Sequence, residues 1–277
     1  MMGSSKPPWG NSRRFLCCIV PRDGTNSIFL AVAVVLPVVI FLSSVAPLRP
    51  LEWVPTLILT LLSLLSLTLA VTVDPGILPR KKEEQLSMSL PTTTTATSIV
   101  GSSVPTGEAV LIRGVSVQLK YCTTCCILKP PRASHCTNCD YCVEEFDHHC
   151  GVLGSCVAKR TFRFFAYFMH CSTLLCGWVL VMSVYSLSTV PWVDGSWRVI
   201  AGVGCCIYSA VCGCCVLPQS GYYVFLACKN SSQKEEGYYN RRGGGEDTAV
   251  NIFDEGPVMN CGKRMCGPLG DSKITTP

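Results

Sequence analysis

Four stretches of this chain carry no charged side chain for twenty residues or more: 28–48, 53–73, 164–192 and 199–228. Each is long enough to cross a hydrocarbon core of about 30 Å, which takes about 20 residues of helix. Inside a bilayer every backbone N–H and C=O must be bonded within the chain, so such spans are α-helices. Buried helices of a soluble domain are the competing reading. Four such runs in 277 residues, with charged residues at only 15%, disfavour it, since soluble domains carry about 25%. The fourth run is interrupted by Gly202, Gly204, Gly213, Pro218 and Gly221. Small residues there permit close helix packing, and a proline break needs its freed carbonyl satisfied by a neighbour. A net charge of +5 is too mild to argue for nucleic acid and suits an anionic membrane surface.

The connections are unequal. Residues 49–52 make a tight link, so the first two spans form a hairpin, and 193–198 is also short. Residues 74–163 hold most of the polar side chains. Basic residues set the orientation. Lys6, Arg13, Arg14 and Arg22 precede the first span. Arg80, Lys81, Lys82, Arg113, Lys120, Lys129, Arg132, Lys159, Arg160 and Arg163 lie in the long connection. Lys229, Lys234, Arg241, Arg242, Lys263, Arg264 and Lys273 follow the last span. Only Arg49 and Arg198 remain for the opposite side. Both termini and the long connection are therefore expected in the cytosol. The first apolar run starts too late and is too long for a cleavable signal peptide. Met1-Met2-Gly3 lacks the glycine that myristoylation needs at position 2. The sequon at Asn230-Ser231-Ser232 should stay bare on this topology. The expected segments are a cytosolic start at 1–27, two helices within 28–73, a cytosolic linker at 74–120, a Cys-rich domain at 121–163, two helices within 164–228 and a cytosolic tail at 229–277.

Within the linker, residues 83–108 read as loose chain, with Glu83 and Glu84 solvated and a run of threonines at 92–95. Apolar and polar residues roughly alternate over 110–119, which predicts a short strand. Beyond it the cysteines concentrate. Cys122-x2-Cys125 is followed by His135-Cys136-x2-Cys139-x2-Cys142, then Asp147-His148-His149-Cys150, then Cys156. A reducing compartment disfavours disulfides and favours thiolate–metal bonds. Cys-x2-Cys pairs place two sulfurs at zinc-binding distance, and imidazole completes a soft tetrahedron. Leaving out Cys126, which has no assignment from sequence, seven thiols and three imidazoles stand in this window. Two closed four-ligand sites use eight. If each takes one imidazole, a thiol and an imidazole remain, and residues 147–150 supply both beside a carboxylate. Nucleophile, base and orienting carboxylate are the parts of a catalytic triad. Zinc ribbons alone, with the leftover pair filling space, fit the spacing equally well.

The stretch from Cys122 through Lys129-Pro130-Pro131-Arg132, His135-Cys136 and Asp147-His148-His149-Cys150 to Lys159-Arg160 and Phe164-Phe165 resembles the DHHC family of protein S-acyltransferases, or palmitoyltransferases. Asp74-Pro75-Gly76 after the second span matches the family's Asp-Pro-Gly motif. The stretch 229–235 is similar to its Thr-Thr-x-Glu motif, with Glu235 kept and Ser232 and Gln233 in place of the threonines. The resemblance runs from about residue 10 to 235 and leaves the last forty-odd residues unmatched. Pro130-Pro131-Arg132-Ala133-Ser134-His135-Cys136, the lead-in Leu119-Lys120-Tyr121-Cys122, and Gly10-Asn11 before Phe15 and Cys17-Cys18 are similar to the subgroup acting on Ras-type substrates.

The resemblance implies a multi-pass α-helical membrane protein, with four transmembrane helices and a cytosolic zinc domain between the second and third. It implies one zinc on Cys122, Cys125, His135 and Cys142, and a second on Cys136, Cys139, His149 and Cys156. Cys150 would be the acylated nucleophile, His148 its base and Asp147 the orienter of His148. The co-substrate would be a fatty acyl-CoA, and the acceptors membrane-associated proteins with cytosolic cysteines. The expected location is the Golgi or endoplasmic reticulum membrane, with an accessory subunit a further partner for the Ras-type subgroup. Lys159, Arg160 and Arg163 are candidate contacts for the CoA phosphates, with interfacial anchoring by snorkelling side chains as the alternative. The chain departs from the family at Gly151 and Val152, where Pro-Trp is usual, and at Ser155, Ala158 and Thr161. Glycine frees a backbone that proline would fix, which bears on rate and chain preference but removes no ligand. His170 and the thiols of Cys171, Cys176, Cys205, Cys206, Cys212, Cys214 and Cys215 read as packing residues within the spans. Cys17, Cys18 and Cys228 are candidates for acylation themselves. Two other functions compete: a zinc-stabilised scaffold that has lost activity, and a zinc or redox sensor. A channel is disfavoured, because no span carries a charge.

Overall fold

The computed structural model describes residues 10–15, 18–20, 24–44, 50–81, 108–189, 197–241 and 251–274. Cys17, the Thr92–95 run and nearly all of the expected 83–108 linker lie outside them. Four helices are long and apolar enough to cross a membrane: α1 (Thr25–Ser44), α2 (Trp53–Thr72), α3 (Phe162–Thr189) and α4 (Trp197–Lys229). This is a multi-pass membrane protein. Its helices are turned inside out relative to a soluble bundle. On α2 the inward residues are Thr56, Thr60, Ser63, Ser66, Leu67 and Ala70, while Leu57, Leu61, Leu62 and Leu65 face outward. Small residues let backbones approach where lipid makes leucine no better inside than outside. α3 packs most extensively, against α4 and α2.

The prolines within the helices have identifiable neighbours. Pro37 in α1 offers no N–H to the carbonyl of Ala33 one turn earlier. The Tyr208 hydroxyl of α4 donates to that carbonyl at 2.6 Å. α4 runs unbroken through Pro218, so the interrupted fourth run is one helix of 33 residues.

Outside the spans the chain forms short antiparallel strands, most of them between α2 and α3. β1 (Arg13–Phe15) and β2 (Cys18–Val20) pair ahead of α1. β3 (Ile77–Leu78) joins β9 (Tyr141–Val143), which also pairs with β8 (Ser134–Cys136). β4 (Ala109–Ile112) pairs with β5 (Val115–Gln118), β6 (Lys120–Cys122) with β7 (Ile127–Lys129), and β10 (His148–Cys150) with β11 (Ser155–Val157). The single strand expected over 110–119 is thus a hairpin. Its two-residue turn, Arg113-Gly114, has φ of 49° and 82°. Positive φ at both central positions is the turn geometry that follows the twist of paired strands.

The strand region is not an appendage. Leu153 and Val157 lie in one core with Leu67 and Ala70 of α2, Phe162, Phe165 and Phe168 of α3, and Tyr223 and Leu226 of α4. Asp74 fastens the exit from α2. Its Oδ1 accepts from the Gly76 and Ile77 N–H groups, both at 3.0 Å. Its Oδ2 takes the Arg160 guanidinium at 2.7 Å and the Ser272 hydroxyl. Gly76 sits at φ 106°, which a residue with a Cβ rarely adopts. Removing one partner of a buried, hydrogen-bonded pair leaves an uncompensated charge. Asp74→Ala should therefore cost about 3 kcal/mol, read as a lower thermal midpoint of the zinc-loaded protein in detergent.

Two short helices complete the chain, α5 (Gln233–Arg241) and α6 (Pro257–Cys261). Ser232 and Glu235 cap α5 reciprocally. The Ser232 N–H donates to Glu235 Oε2 at 2.8 Å, and the Glu235 N–H to Ser232 Oγ at 3.2 Å. Residues 251–274, for which the sequence offered no reading, pack onto the end of α4. Asn260 is 1% exposed and donates to the Cys228 carbonyl at 2.8 Å, while Asn251 donates to the Lys229 carbonyl at 2.7 Å. Both carbonyls belong to the last turn of a helix, which has no partners of its own for them.

Candidate active site and metal centres

Two groups of ligand atoms converge, each within 4.8 Å of one another: Cys122, Cys125, His135 and Cys142, and Cys136, Cys139, His149 and Cys156. The arrangement follows from strand alternation. Successive side chains on a strand point to opposite faces. His135 and Cys136 are neighbours on β8 and so belong to different centres. Each centre combines a Cys-x2-Cys turn with a cross-strand His–Cys pair, His135 opposite Cys142 and His149 opposite Cys156. Cys126 finds its place here. It stands at φ 53° just after Cys125, as Asp140 stands at φ 59° just after Cys139, so each closes one Cys-x2-Cys turn.

The donor sets fit a zinc ion each. Zn–S and Zn–N bonds of about 2.3 and 2.0 Å in a tetrahedron put sulfur and nitrogen about 3.5 Å apart. The His135 Nδ1 separations are 3.7, 3.4 and 3.8 Å from Cys122, Cys125 and Cys142. Those of His149 are 3.6, 3.3 and 3.8 Å from Cys136, Cys139 and Cys156. Thiols packed so closely split in acidity. Hydrogen bonds from Cys142 and Cys139 hold Cys125 and Cys136 low, while Cys142 and Cys156 are pushed up by their sulfur neighbours. A dication removes that conflict by favouring thiolate at every position.

Alternation acts again on β10. His149 faces its metal group, so His148 and Cys150 share the other face. His148 Nδ1 lies 2.8 Å from Asp147 Oδ2. Asp147 is 1% exposed, and its second oxygen accepts the Gln233 N–H at 2.8 Å. Thus Gln233, in place of a threonine, holds the carboxylate through its backbone. The Tyr223 hydroxyl of α4 donates to Asp147 Oδ2 at 3.3 Å and stands 3.4 Å from His148 Nδ1. Burial opposes a charge on His148, but the Asp147 hydrogen bond and the neighbouring Cys150 outweigh it and raise the imidazole to about 9. Burial likewise opposes the Cys150 thiolate, and the hydrogen bond to His148 overcomes it, lowering the thiol below its ordinary value.

His148 and Cys150 open onto a cavity of about 520 Å³ between α1, α3 and α4, within the range of about 300–1,000 Å³ typical of ligand sites. Along α3 it extends from Phe165 to Val179. Fourteen residues at about 1.5 Å each give a depth of about 21 Å. Its wall is almost wholly apolar, with Val34 and Val38 of α1 opposite Leu175 of α3 and Tyr208 of α4 in its deeper part.

The cations lie differently from the sequence expectation. Arg160 is engaged by Asp74 at 2.7 Å and Arg163 by the Gly267 carbonyl. Lys159 pairs with Glu144 at 3.2 Å and keeps 43% of its side chain exposed. A separate cationic group forms around Lys234. Lys120 and Lys129 face each other across β6 and β7. Lys234 follows Gln233, which lines the mouth. Burial, and then Lys129 and Lys120, hold its amine below the ordinary range. Arg132 is a structural hub, with a two-pronged hold on Glu235 at 2.8 and 2.9 Å and further bonds to Asn230. The sequon's Asn230 is therefore engaged by Arg132 and by the Phe253 carbonyl. His170 bonds Ser220 across α3 and α4 as a packed polar residue. Sequence reading missed Tyr223, Lys234 and Asn260. The only signal for Tyr223 was a phenol inside an apolar run.

Comparison with known proteins agrees with this geometry. The sequence profile of the DHHC palmitoyltransferase family matches residues 115–239. Probable protein S-acyltransferase 5 of Arabidopsis thaliana is 33% identical over 216 residues, which is 75% of this chain and 44% of that protein. Palmitoyltransferase ZDHHC18 of Homo sapiens is 34% identical over 214 residues, 73% of this chain and 53% of that protein. Probable protein S-acyltransferase 1 of Arabidopsis thaliana reaches 41% over 140 residues, 48% of this chain and 41% of its own length. The chain spans about half the length of the curated relatives it matches. On the profile match, these relatives and the interlaced Cys/His centres together, residues 115–239 are a domain of the DHHC palmitoyltransferase family.

Proposed function

We propose that this protein is a membrane S-acyltransferase that moves a fatty acyl group from acyl-CoA to cysteines of membrane-associated proteins through a thioester on Cys150. One observation carries the reading: a paired imidazole and thiol on one face of β10, at the mouth of an apolar cavity about 21 Å deep. An acyl chain entering it leaves water, each CH₂ contributing about 0.8 kcal/mol. Its carbonyl then stays at the rim beside Cys150.

Asp147 fixes the Nδ1–H tautomer of His148 and stabilises the imidazolium. The other ring nitrogen exchanges the proton with Cys150, then with the leaving CoA thiol, then with the incoming substrate thiol. One thioester is exchanged for another, so no nucleotide is consumed. Lys120, Lys129 and Lys234, which cluster together, are the cations we assign to the CoA phosphates; Lys234 also bonds Ser134 Oγ and lies over the Phe146 ring. Two zinc ions, on Cys122, Cys125, His135 and Cys142 and on Cys136, Cys139, His149 and Cys156, would be structural, since each set closes four ligands. The basic-residue distribution supports cytosolic termini. Golgi or endoplasmic reticulum membranes, Ras-type substrates and an accessory subunit complete the reading.

The test is incubation of the purified protein with an alkyne analogue of palmitoyl-CoA. A hydroxylamine-labile label with one CoA released per chain is expected. A folded, zinc-loaded protein that takes no label, even with candidate accessory subunits, would point instead to an inactive scaffold. Tyr223→Phe removes only the hydroxyl on the Asp147–His148 pair. Losing a hydrogen bond to a charged group should slow acyl-enzyme formation about tenfold or more, seen as a lower single-turnover rate at unchanged zinc content.

A further inference from the structure

The turn after Cys150 contains Gly151, whose backbone has the widest conformational freedom of any residue. A Cβ at this glycine would meet nothing within 4 Å, so packing does not hold position 151 itself, although Leu153 is buried in the core. Two hydrogen bonds from a distant part of the chain restrain the turn. Asn26 Nδ2 in the first turn of α1 donates to the Gly151 carbonyl at 2.9 Å. The neighbouring Ser27 hydroxyl donates to the Leu153 carbonyl at 2.8 Å. A trans peptide is planar, with its C=O and N–H pointing in opposite directions. Holding the Gly151 carbonyl towards α1 therefore turns the Val152 N–H away from it. Holding the Leu153 carbonyl does the same for the Gly154 N–H, which donates to the Cys150 carbonyl at 2.8 Å. Burial raises the Cys150 thiol, while the His148 hydrogen bond and backbone hydrogen bonds from Leu153 and Val152 lower it.

We propose, on the reading that Cys150 is the acylated nucleophile, that Asn26 and Ser27 are positioning residues for acyl-enzyme formation. They hold the turn at 151–154, and with it the Val152 N–H, in a fixed position after the reacting sulfur. In the step itself a sulfur lone pair forms the new S–C bond at the thioester carbonyl carbon. The C=O π pair moves onto oxygen. Collapse of that oxyanion breaks the carbon–sulfur bond to CoA, whose thiolate takes the proton held on His148. Negative charge thus passes from the Cys150 sulfur to an oxygen one bond beyond the carbon it attacks. Fixed N–H groups beside that path stabilise it without having to reorient. α1 also lines the acyl cavity through Leu30, Val34 and Val38. The helix that contacts the acyl chain is therefore the one that sets the turn.

The experiment measures single-turnover acylation by palmitoyl-CoA in purified, zinc-loaded wild type, Asn26→Ala, Ser27→Ala, Ser27→Thr and Gly151→Pro, together with the double variant Asn26→Ala/Gly151→Pro. Wild type must form the thioester, and its failure would overturn the underlying reading rather than the clamp. Each alanine variant should lower the rate at saturating palmitoyl-CoA about tenfold, the effect of about one hydrogen bond, with half-saturation unchanged. Ser27→Thr keeps the hydroxyl and should retain the rate. Proline fixes φ at position 151, so Asn26→Ala should cost much less in the Gly151→Pro background. Alanine variants acting at the wild-type rate would overturn the clamp. So would losses seen only as weaker half-saturation, or an Asn26→Ala effect of equal size with glycine or proline at 151.

Discussion

Cys150→Ser is expected to leave the protein folded and both metal centres filled, yet to lower acyl-enzyme formation by about a thousandfold or more. The sulfur lies outside both ligand groups, so its removal disturbs neither. A serine hydroxyl is far less acidic than a thiol, and the thiol that helps to raise the His148 imidazole is gone. Any residual label would be an oxygen ester, which survives the neutral hydroxylamine that cleaves a thioester. Labelling with the alkyne analogue, followed by hydroxylamine and a zinc assay on the same sample, checks all three points. Label of wild-type intensity on the serine variant would place the nucleophile elsewhere.

The second large effect is on the metal centres. Residues 108–161 have little hydrocarbon core of their own; one of their clusters is built around Ile77, Tyr141, Val143 and Ala158 with Cys136, Cys139 and Cys156 among them. Structural zinc contributes about 10 kcal/mol or more of folding free energy in small domains. His149→Ala should therefore reduce the zinc content from two ions per chain to one and abolish labelling of Cys150, which follows His149 on the same strand. Chelation of both ions should unfold the strand region while most helicity persists, because the spans are held by lipid and by one another. Metal analysis with circular dichroism before and after chelation reads both effects. Full labelling after complete zinc removal would contradict a structural role.

The parts legible in the sequence were those set by local chemistry. Charge-free runs gave the four spans to within a few residues at most ends, because the cost of charge in hydrocarbon is a property of each residue. The Cys-x2-Cys spacings marked the turns of the metal centres for the same reason. Three features were not legible. The Arg113-Gly114 turn hid inside an alternating run, since its sequence lacks the asparagine or aspartate that usually marks such a hairpin. Residues 251–274 show no periodicity, and their order comes from Asn251 and Asn260 closing the open end of α4, a purely tertiary arrangement. The cationic group joins Lys120 and Lys129 to Lys234, more than a hundred residues later. The three cations that sequence proximity suggested instead meet partners at Asp74, Glu144 and Gly267.

Gly10 shows how tightly the start of the chain is fitted to the second centre. A Cβ there would stand 2.2 Å from the Cys139 carbonyl, and the next residue donates its N–H to that same oxygen at 2.9 Å. β10 imposes a different kind of constraint. Three consecutive residues serve two sides of a ribbon, and only their parity decides which is ligand and which is reactive. Inserting or deleting a single residue just before His148 would exchange the two sides, sending the proposed nucleophile into the Cys/His group and a proposed ligand into the apolar cavity. A substitution in this segment can be graded in its effect, but a change of frame by one cannot. The length of the stretch between Cys142 and Cys156 is thus as strict a requirement as the identity of anything in it.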